Sequence, residues 1–239
     1  MADYVLVHGA MHGGWCWGPV RDALTRQGHR VFTPSLTGQG ERHRELTREV
    51  GVATHVDDLV DLIWYEDLGD VRLVLHSYAG ILAGPVAERA AGRLAVVVLM
   101  GGFLVRPGEC LLDVEPPEAA RRYRELAAER GEGWYLPADA SYLTQWGVRD
   151  ERLRAWAGPR LTDFPFRCQT DPVEFDPGPL AALHRVYVRH TGPPLPSLDA
   201  SLAAARADGW EIRTIACGHD MMLEAPEETA RILESRTRT

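Results

Sequence analysis

The sequence contains no lysine: all 26 of its basic side chains are arginine. That skew reads as coding bias and carries no functional signal. Cysteine is scarce. Cys16, Cys110, Cys168 and Cys217 are scattered, with no C-x-x-C and no zinc-ligand spacing. This argues against a disulfide framework or a structural zinc, and for reduced thiols. No apolar run approaches the ~20 residues of a membrane span. The first strand starts by Tyr4, and no leader is expected before it. A cytoplasmic protein with no membrane partner is therefore expected. Positive charge is in deficit as well: a net charge of −8 argues against a nucleic-acid partner. Neither a G-x-G-x-x-G nor a P-loop is present, and "GQGER" (Gly38 to Arg42) is too short for a nucleotide loop. There is no internal repeat and no low-complexity segment. What remains is a chain of 239 residues, 45% hydrophobic, suited to one α/β domain with an inserted subdomain, as a monomer or homodimer.

Strand and helix patterns alternate along this chain. "YVLVHG" reads as a buried strand, followed by a helix from about Trp15 to Gln27 that Gly28 stops. "RVFTP" is the next strand. "THVDDLVDLIWYEDLG" carries Val56, Leu59, Val60, Ile63 and Trp64 at helical spacing, with Thr54 and Asp57 as an N-terminal cap. The strand "VRLVL", a helix from Tyr78 to about Ala91 and the strand "LAVVVLM" come next. Late in the chain "RVYVRH" and "EIRTIA" are strands, each followed by a helix, at 197–207 and 226–234. Apolar strands alternating with helices predict a mostly parallel, doubly wound sheet. Residues 1–106 and 180–239 form this core. Residues 107–179 lose the strand pattern and gain Pro, Trp and charge. They predict a mostly helical insertion covering the sheet's C-terminal edge, where open α/β sheets bind ligands.

In "VRLVLHSYAG" a strand runs into Ser77 and then into small residues and a helix, the layout of a nucleophile elbow. Ala79 and Gly80 suit the tight turn, whereas Leu75 stands where G-x-S-x-G has glycine. Two distant segments complete a constellation. "HGAMHGGWCW" follows the first strand, and its glycines leave backbone amides facing a cavity. "ACGHDMMLEAPEE" places His219 in the loop before the last helix, and Ser followed by a late His is the order of this type of site.

These segments, with "GGFLVRPGE", resemble the α/β-hydrolase superfamily. Within it they are most similar to small esterases of the plant methylesterase and hydroxynitrile-lyase type and to bacterial pyrethroid-hydrolase-like esterases. The resemblance runs over nearly the whole chain and is weakest in the insertion, which it casts as a lid. It implies an α/β-hydrolase fold, Ser77 as nucleophile, His219 as general base, and an oxyanion hole from the amides of Ala10 and Tyr78, with no cofactor and no metal. The expected activity is that of a carboxylesterase or lactonase on a small apolar substrate.

The pattern breaks at the acid. Such relatives carry Asp where this chain has Pro193, and no carboxylate lies between Val186 and Leu198. A second familiar acid position holds Gly101. Asp199 is the nearest substitute in sequence, although a carboxylate stabilising a helix N-terminus is the simpler reading. Asp171, Glu174 and Asp176 are further candidates, and Asp220 reads as a loop residue beside the base. Losing the acid's role in a serine triad costs ~10⁴ in turnover. The alternative is therefore a non-hydrolytic cyclase, lyase or isomerase in specialised metabolism, using the same Ser and His to move a proton beside a carbonyl. A binding protein without catalysis is the third reading. His8 and His12 lie four apart in a glycine-rich loop, not on a helix, and are not read as a metal pair. His12 is expected to shape the loop, His76 to pack beneath the elbow and His190 to be structural. Tyr78 is expected to present its ring or hydroxyl to the substrate, and Trp134, Trp146 and Trp156 either line the pocket or pack.

Overall fold

The computed structural model describes residues 1–235. Its central strands are apolar on both faces, so both faces must be covered. β1 (Asp3–Val7) leads through a short 3₁₀ turn into α1 (Gly18–Arg26) and β2 (Arg30–Phe32). α2 (Val52–Tyr65) precedes β3 (Val71–His76), then α3 (Ala83–Arg89) and β4 (Leu94–Met100). The connection that follows holds α4 (Leu111–Val114), α5 (Pro117–Arg130), β5 (Tyr135–Leu136), α6 (Ser141–Gln145), α7 (Glu151–Ala157), β6 (Phe164–Pro165), α8 (Arg167–Thr170) and α9 (Pro177–Ala181). β7 (His184–His190), α10 (Asp199–Ala207), β8 (Glu211–Ile215), α11 (Met221–Glu224) and α12 (Pro226–Glu234) complete the chain. No helix among the described residues is long and apolar enough to cross a membrane.

The main sheet has six parallel strands in the order β2-β1-β3-β4-β7-β8. The chain leaves β1 toward β2 and then returns to the other side of β1 to lay down β3. That reversal opens a crevice between the loops following β1 and β3. The register pairs Val7 with Leu75, His76 with Met100, and His190 with Ile215. The loops after these strands therefore start at one edge of the sheet.

The inserted segment is mostly helical and also holds a two-stranded antiparallel ribbon of β5 and β6. Other details differ from expectation. The helix expected from Tyr78 starts as a 3₁₀ turn over Ser77–Leu82 and becomes α-helical at Ala83. Trp64 is 64% exposed, outside the core. It lies one residue, about 100° of helix rotation, past buried Ile63, and the Arg93 guanidinium covers its ring at 5.1 Å. The expected Thr54–Asp57 cap is displaced: α2 starts at Val52 with Gly51 at its N-cap, Thr54 sits inside the first turn with its Oγ1 accepting from Gly51 N–H at 3.4 Å, and Asp57 pairs with Arg89. The four cysteines are free thiols, all buried.

Candidate functional site

Ser77 begins where β3 ends, at φ 53°. This left-handed conformation is uncommon for a residue with a side chain and collects at functional sites. Its neighbours His76 and Tyr78 are buried, yet Ser77 itself is partly exposed, so the turn brings this residue out of the core. Glycines make this passage possible. A Cβ on Gly9 would lie 2.8 Å from Ser77 Cβ and from His76 Nδ1, and one on Gly80 would run into the backbone of Phe103. Phe103 N–H in turn donates to Ser77 C=O at 3.0 Å. Leu75 finds its room inside the sheet, fully buried between Val7 and Leu99.

The loop after β1 faces this turn and is clamped by side chains. His8 Nδ1–H donates to Gly9 C=O at 2.8 Å, while His8 Nε2 accepts from Leu36 N–H at 3.0 Å. Burial pushes the His8 pKa down to about 3, so the ring is neutral and its tautomer is set by these two partners. The Gly9–Ala10 peptide is thus held by its carbonyl. In the next peptide Ala10 C=O accepts from His12 Nδ1–H at 2.9 Å, and Met11 N–H donates to Gln39 Oε1 at 3.0 Å. Met11 C=O accepts from Thr162 N–H at 2.9 Å. These restraints hold Met11 at φ 66°. Gln39 was not identified from the sequence: its role comes from a contact across 28 residues, with no local signal.

His219 lies in the loop after β8. Its N–H donates to Trp146 C=O at 2.7 Å, and its C=O accepts from His76 Nε2–H at 3.0 Å. The ring lies 4.6 Å from that of His76 and 5.3 Å from that of His190. Thus His219 reaches the residue preceding Ser77, although no hydrogen bond joins the Ser77 and His219 side chains among the described residues. His219 Nδ1 is buried with no partner. Burial, followed by the neighbouring His76, His190 and His12 rings, holds the His219 pKa well below the usual histidine value. Burial also lowers His76, to about 4.

None of the expected acids meets His219. Pro193 is exposed, and Gly101, at φ 54°, offers only backbone; a Cβ there would stand 3.0 Å from His219 Nδ1. Asp199 is exposed at the start of α10 and makes no hydrogen bond to His219; it lines a cavity of about 300 Å³ together with Gly101, His190 and Leu202. Asp171 pairs with Arg167 at 3.1 Å, Asp176 caps α9 through Gly178 N–H at 2.9 Å, and Glu174 is exposed. The carboxylate that is buried in this cluster belongs to Asp220. It turns away from its sequence neighbour, toward His12 Nε2 at 3.3 Å and His76 Nε2 at 3.9 Å.

The Tyr78 side chain does not reach the open site. Its hydroxyl donates to His55 Nδ1 at 2.8 Å, and His55 Nε2–H donates to Thr37 C=O at 2.9 Å. The ring is buried against Phe164. Of the tryptophans in the inserted segment, Trp146 packs on His12 at 5.2 Å, and Trp156 meets Trp15, itself stacked on His12, at 5.3 Å. Trp134 lies elsewhere, under the Arg48 guanidinium. No group of three or more metal-ligating side chains occurs among the described residues.

A partly exposed strained serine, a neutral imidazole nearby and a clamped amide loop are the parts needed to attack a carbonyl and hold the resulting oxyanion. A family model described as the Alpha/beta hydrolase family matches residues 4–232. The carbendazim hydrolyzing esterase of Nocardioides sp. (strain SG-4G) is 33% identical over 242 residues, spanning 98% of each chain. Methylesterase 9 of Arabidopsis thaliana is 34% identical over 107 residues, covering 44% of this chain and 41% of that protein. An extracellular alpha/beta-hydrolase from a Paenibacillus species has a similar structure, with a TM-score of 0.87 at 18% identity over 100% of both chains.

Proposed function

Because this chain belongs to the α/β-hydrolase family and its named relatives are esterases, we propose that it is a cofactor-free serine hydrolase of small apolar carboxylic esters. Ser77 Oγ attacks the carbonyl carbon while His219 takes its proton. The amides of Ala10 and Tyr78 hold the oxyanion, and His219 then protonates the leaving alcohol. Water cleaves the acyl-enzyme by the same route in reverse roles. The inserted segment acts as a lid, with Trp146 and Trp15 as an apolar wall. Methyl esters and methyl carbamates are the first substrates to try, given what the Arabidopsis and Nocardioides relatives are named for.

One observation carries this reading: Ser77 is held at φ 53° opposite the clamped Gly9–Ala10 peptide. His219 supports it as a base already neutral at neutral pH. With its Nδ1 unpartnered, the imidazolium formed during attack lacks a neighbouring carboxylate. Turnover is therefore expected to be slow on alkyl esters and faster on esters with good leaving groups. A fluorophosphonate probe is expected to label the native protein and not Ser77→Ala, and hydrolysis in ¹⁸O water to place label in the product acid. The same unpartnered nitrogen favours the second reading, a proton-transferring lyase or cyclase; that enzyme yields a product without ¹⁸O.

A further inference from the structure

The Asp220 carboxylate is the feature of this cluster that the proposed chemistry leaves unused. It is fully buried, its oxygens make no hydrogen bond, and it stands 3.3 Å from His12 Nε2. A buried carboxylate without a cation nearby is costly, so its counter-charge has to come from an adjacent group. His12 is buried too, and its other nitrogen is committed as a donor to Ala10 C=O at 2.9 Å. His12 Nε2 makes no hydrogen bond but faces that carboxylate at 3.3 Å; a ring that already donates from Nδ1 matches the facing charge only as an imidazolium.

We infer that Asp220 and His12 form a buried ion pair that positions the oxyanion loop, so that the site's carboxylate acts through the loop and not through the general base. The inference rests on the proposal that the Ala10 amide receives the oxyanion. The chain of contacts is short: Asp220 fixes the doubly protonated ring, the ring holds Ala10 C=O, and Gln39 holds the amide of the same peptide. With that peptide pinned, and with His8 on Gly9 C=O, the Ala10 N–H keeps one direction. Asp220 and His12 are positioning residues, since neither is placed against the substrate.

The surroundings agree in sign. Burial works against a charged His12, but the Asp220 charge and contact outweigh it and raise the His12 pKa above the usual value. The other titratable groups facing the pair are His8, His76 and His219 around His12, and His76, His190 and the Cys16 and Cys217 thiols around Asp220. The three histidines around His12 are held neutral, and burial pushes both thiols up, so none competes for the charge. Trp15 and Trp146 close the remaining sides of His12 with uncharged rings.

The test has a readout that does not depend on finding the substrate. In a ¹⁵N-histidine spectrum of the full chain, with His12 assigned by the signal lost in His12→Gln, its ring is expected to show two protonated nitrogens at pH 7.5. It is expected to become neutral only at higher pH. In Asp220→Asn it is expected to be neutral at pH 7.5, with kcat lowered ~10–100-fold and KM within twofold, since losing one oxyanion donor outright costs 10²–10³. The wild-type kcat should also fall as pH rises through the His12 titration, and this alkaline limb should vanish in Asp220→Asn. A neutral wild-type His12 at pH 7.5 overturns the inference even if Asp220→Asn does not fold. So does a folded Asp220→Asn with unchanged kcat and pH profile. If the fluorophosphonate fails to label Ser77, the hydrolase reading falls instead, while the spectrum still reports on the pair.

Discussion

At the scale of the residue, His219 shows how surroundings replace a missing partner in one respect only. Burial and three neighbouring histidines keep it neutral, which makes it ready to accept a proton. The same surroundings disfavour the imidazolium that accepting the proton creates. For His219 as the proposed base the sign is clear: a base with a lowered pKa stays unprotonated as pH falls below the ordinary histidine value of ~6.5. The acid limb of kcat/KM, which reports the free enzyme, is therefore expected to lie below that value. A limb at or above it would show that His219 finds a carboxylate in solution. Tyr78 makes the opposite point. Its position beside the serine suggests a substrate contact, yet its hydroxyl is spent on His55 at 2.8 Å, inside the core.

At the scale of the element, the elbow depends on how closely two backbones approach. The segment after Ser77 winds as a 3₁₀ turn through Leu82 before it becomes helical, and Gly80 is pressed against the Phe103 backbone in the loop after β4. Helical periodicity marks the helix well but not its first turn, because the start is set by Phe103, which lies 23 positions further on than Gly80. Gly80→Ala places a methyl group where that backbone runs. It is expected to cost ~1–3 kcal/mol, the usual range for overpacking, and to lower kcat because the turn carrying Ser77 must shift. Thermal unfolding and turnover on one ester check both effects; a variant as stable and active as the parent would show that Phe103 yields freely. The same limit explains Trp64, whose helical spacing was legible while its exposure was not.

At the scale of the molecule, buried histidines gather near the C-terminal edge of the sheet, and their cost appears as acid sensitivity. Burial lowers His8 to about 3 and His55 and His76 to about 4, and holds His219 well below 6.5. Between the unfolded value and these folded values, the unfolded chain binds protons that the folded chain refuses. Stability therefore falls as pH drops below ~6.5, by ~1.4 kcal/mol per pH unit for each proton involved. His12, with its raised value, works the other way and loses its contribution as pH rises. The urea midpoint is expected to fall steeply between pH 6.5 and 4, and a flat profile over that window would mean these rings are solvated.

The sequence by itself determined the alternation of elements, the parallel sheet, the elbow at Ser77, the glycine loop and the late His219. Each of these is written locally, in periodicity, turn chemistry and short spacings, or in a resemblance carried by contiguous segments. It also determined that the usual acid positions are empty, since an absent side chain needs no structure to be seen. Only the tertiary structure decided what the remaining polar groups do. It turned Asp220 from His219 to His12, gave Gln39 to Met11, spent the Tyr78 hydroxyl on His55 and left Asp199 exposed. The physical reason is that a hydrogen bond or ion pair is chosen by direction and distance across the fold. Those are fixed by how the strands register and the loops close, over separations of up to 208 residues for His12 and Asp220, where no sequence period reaches.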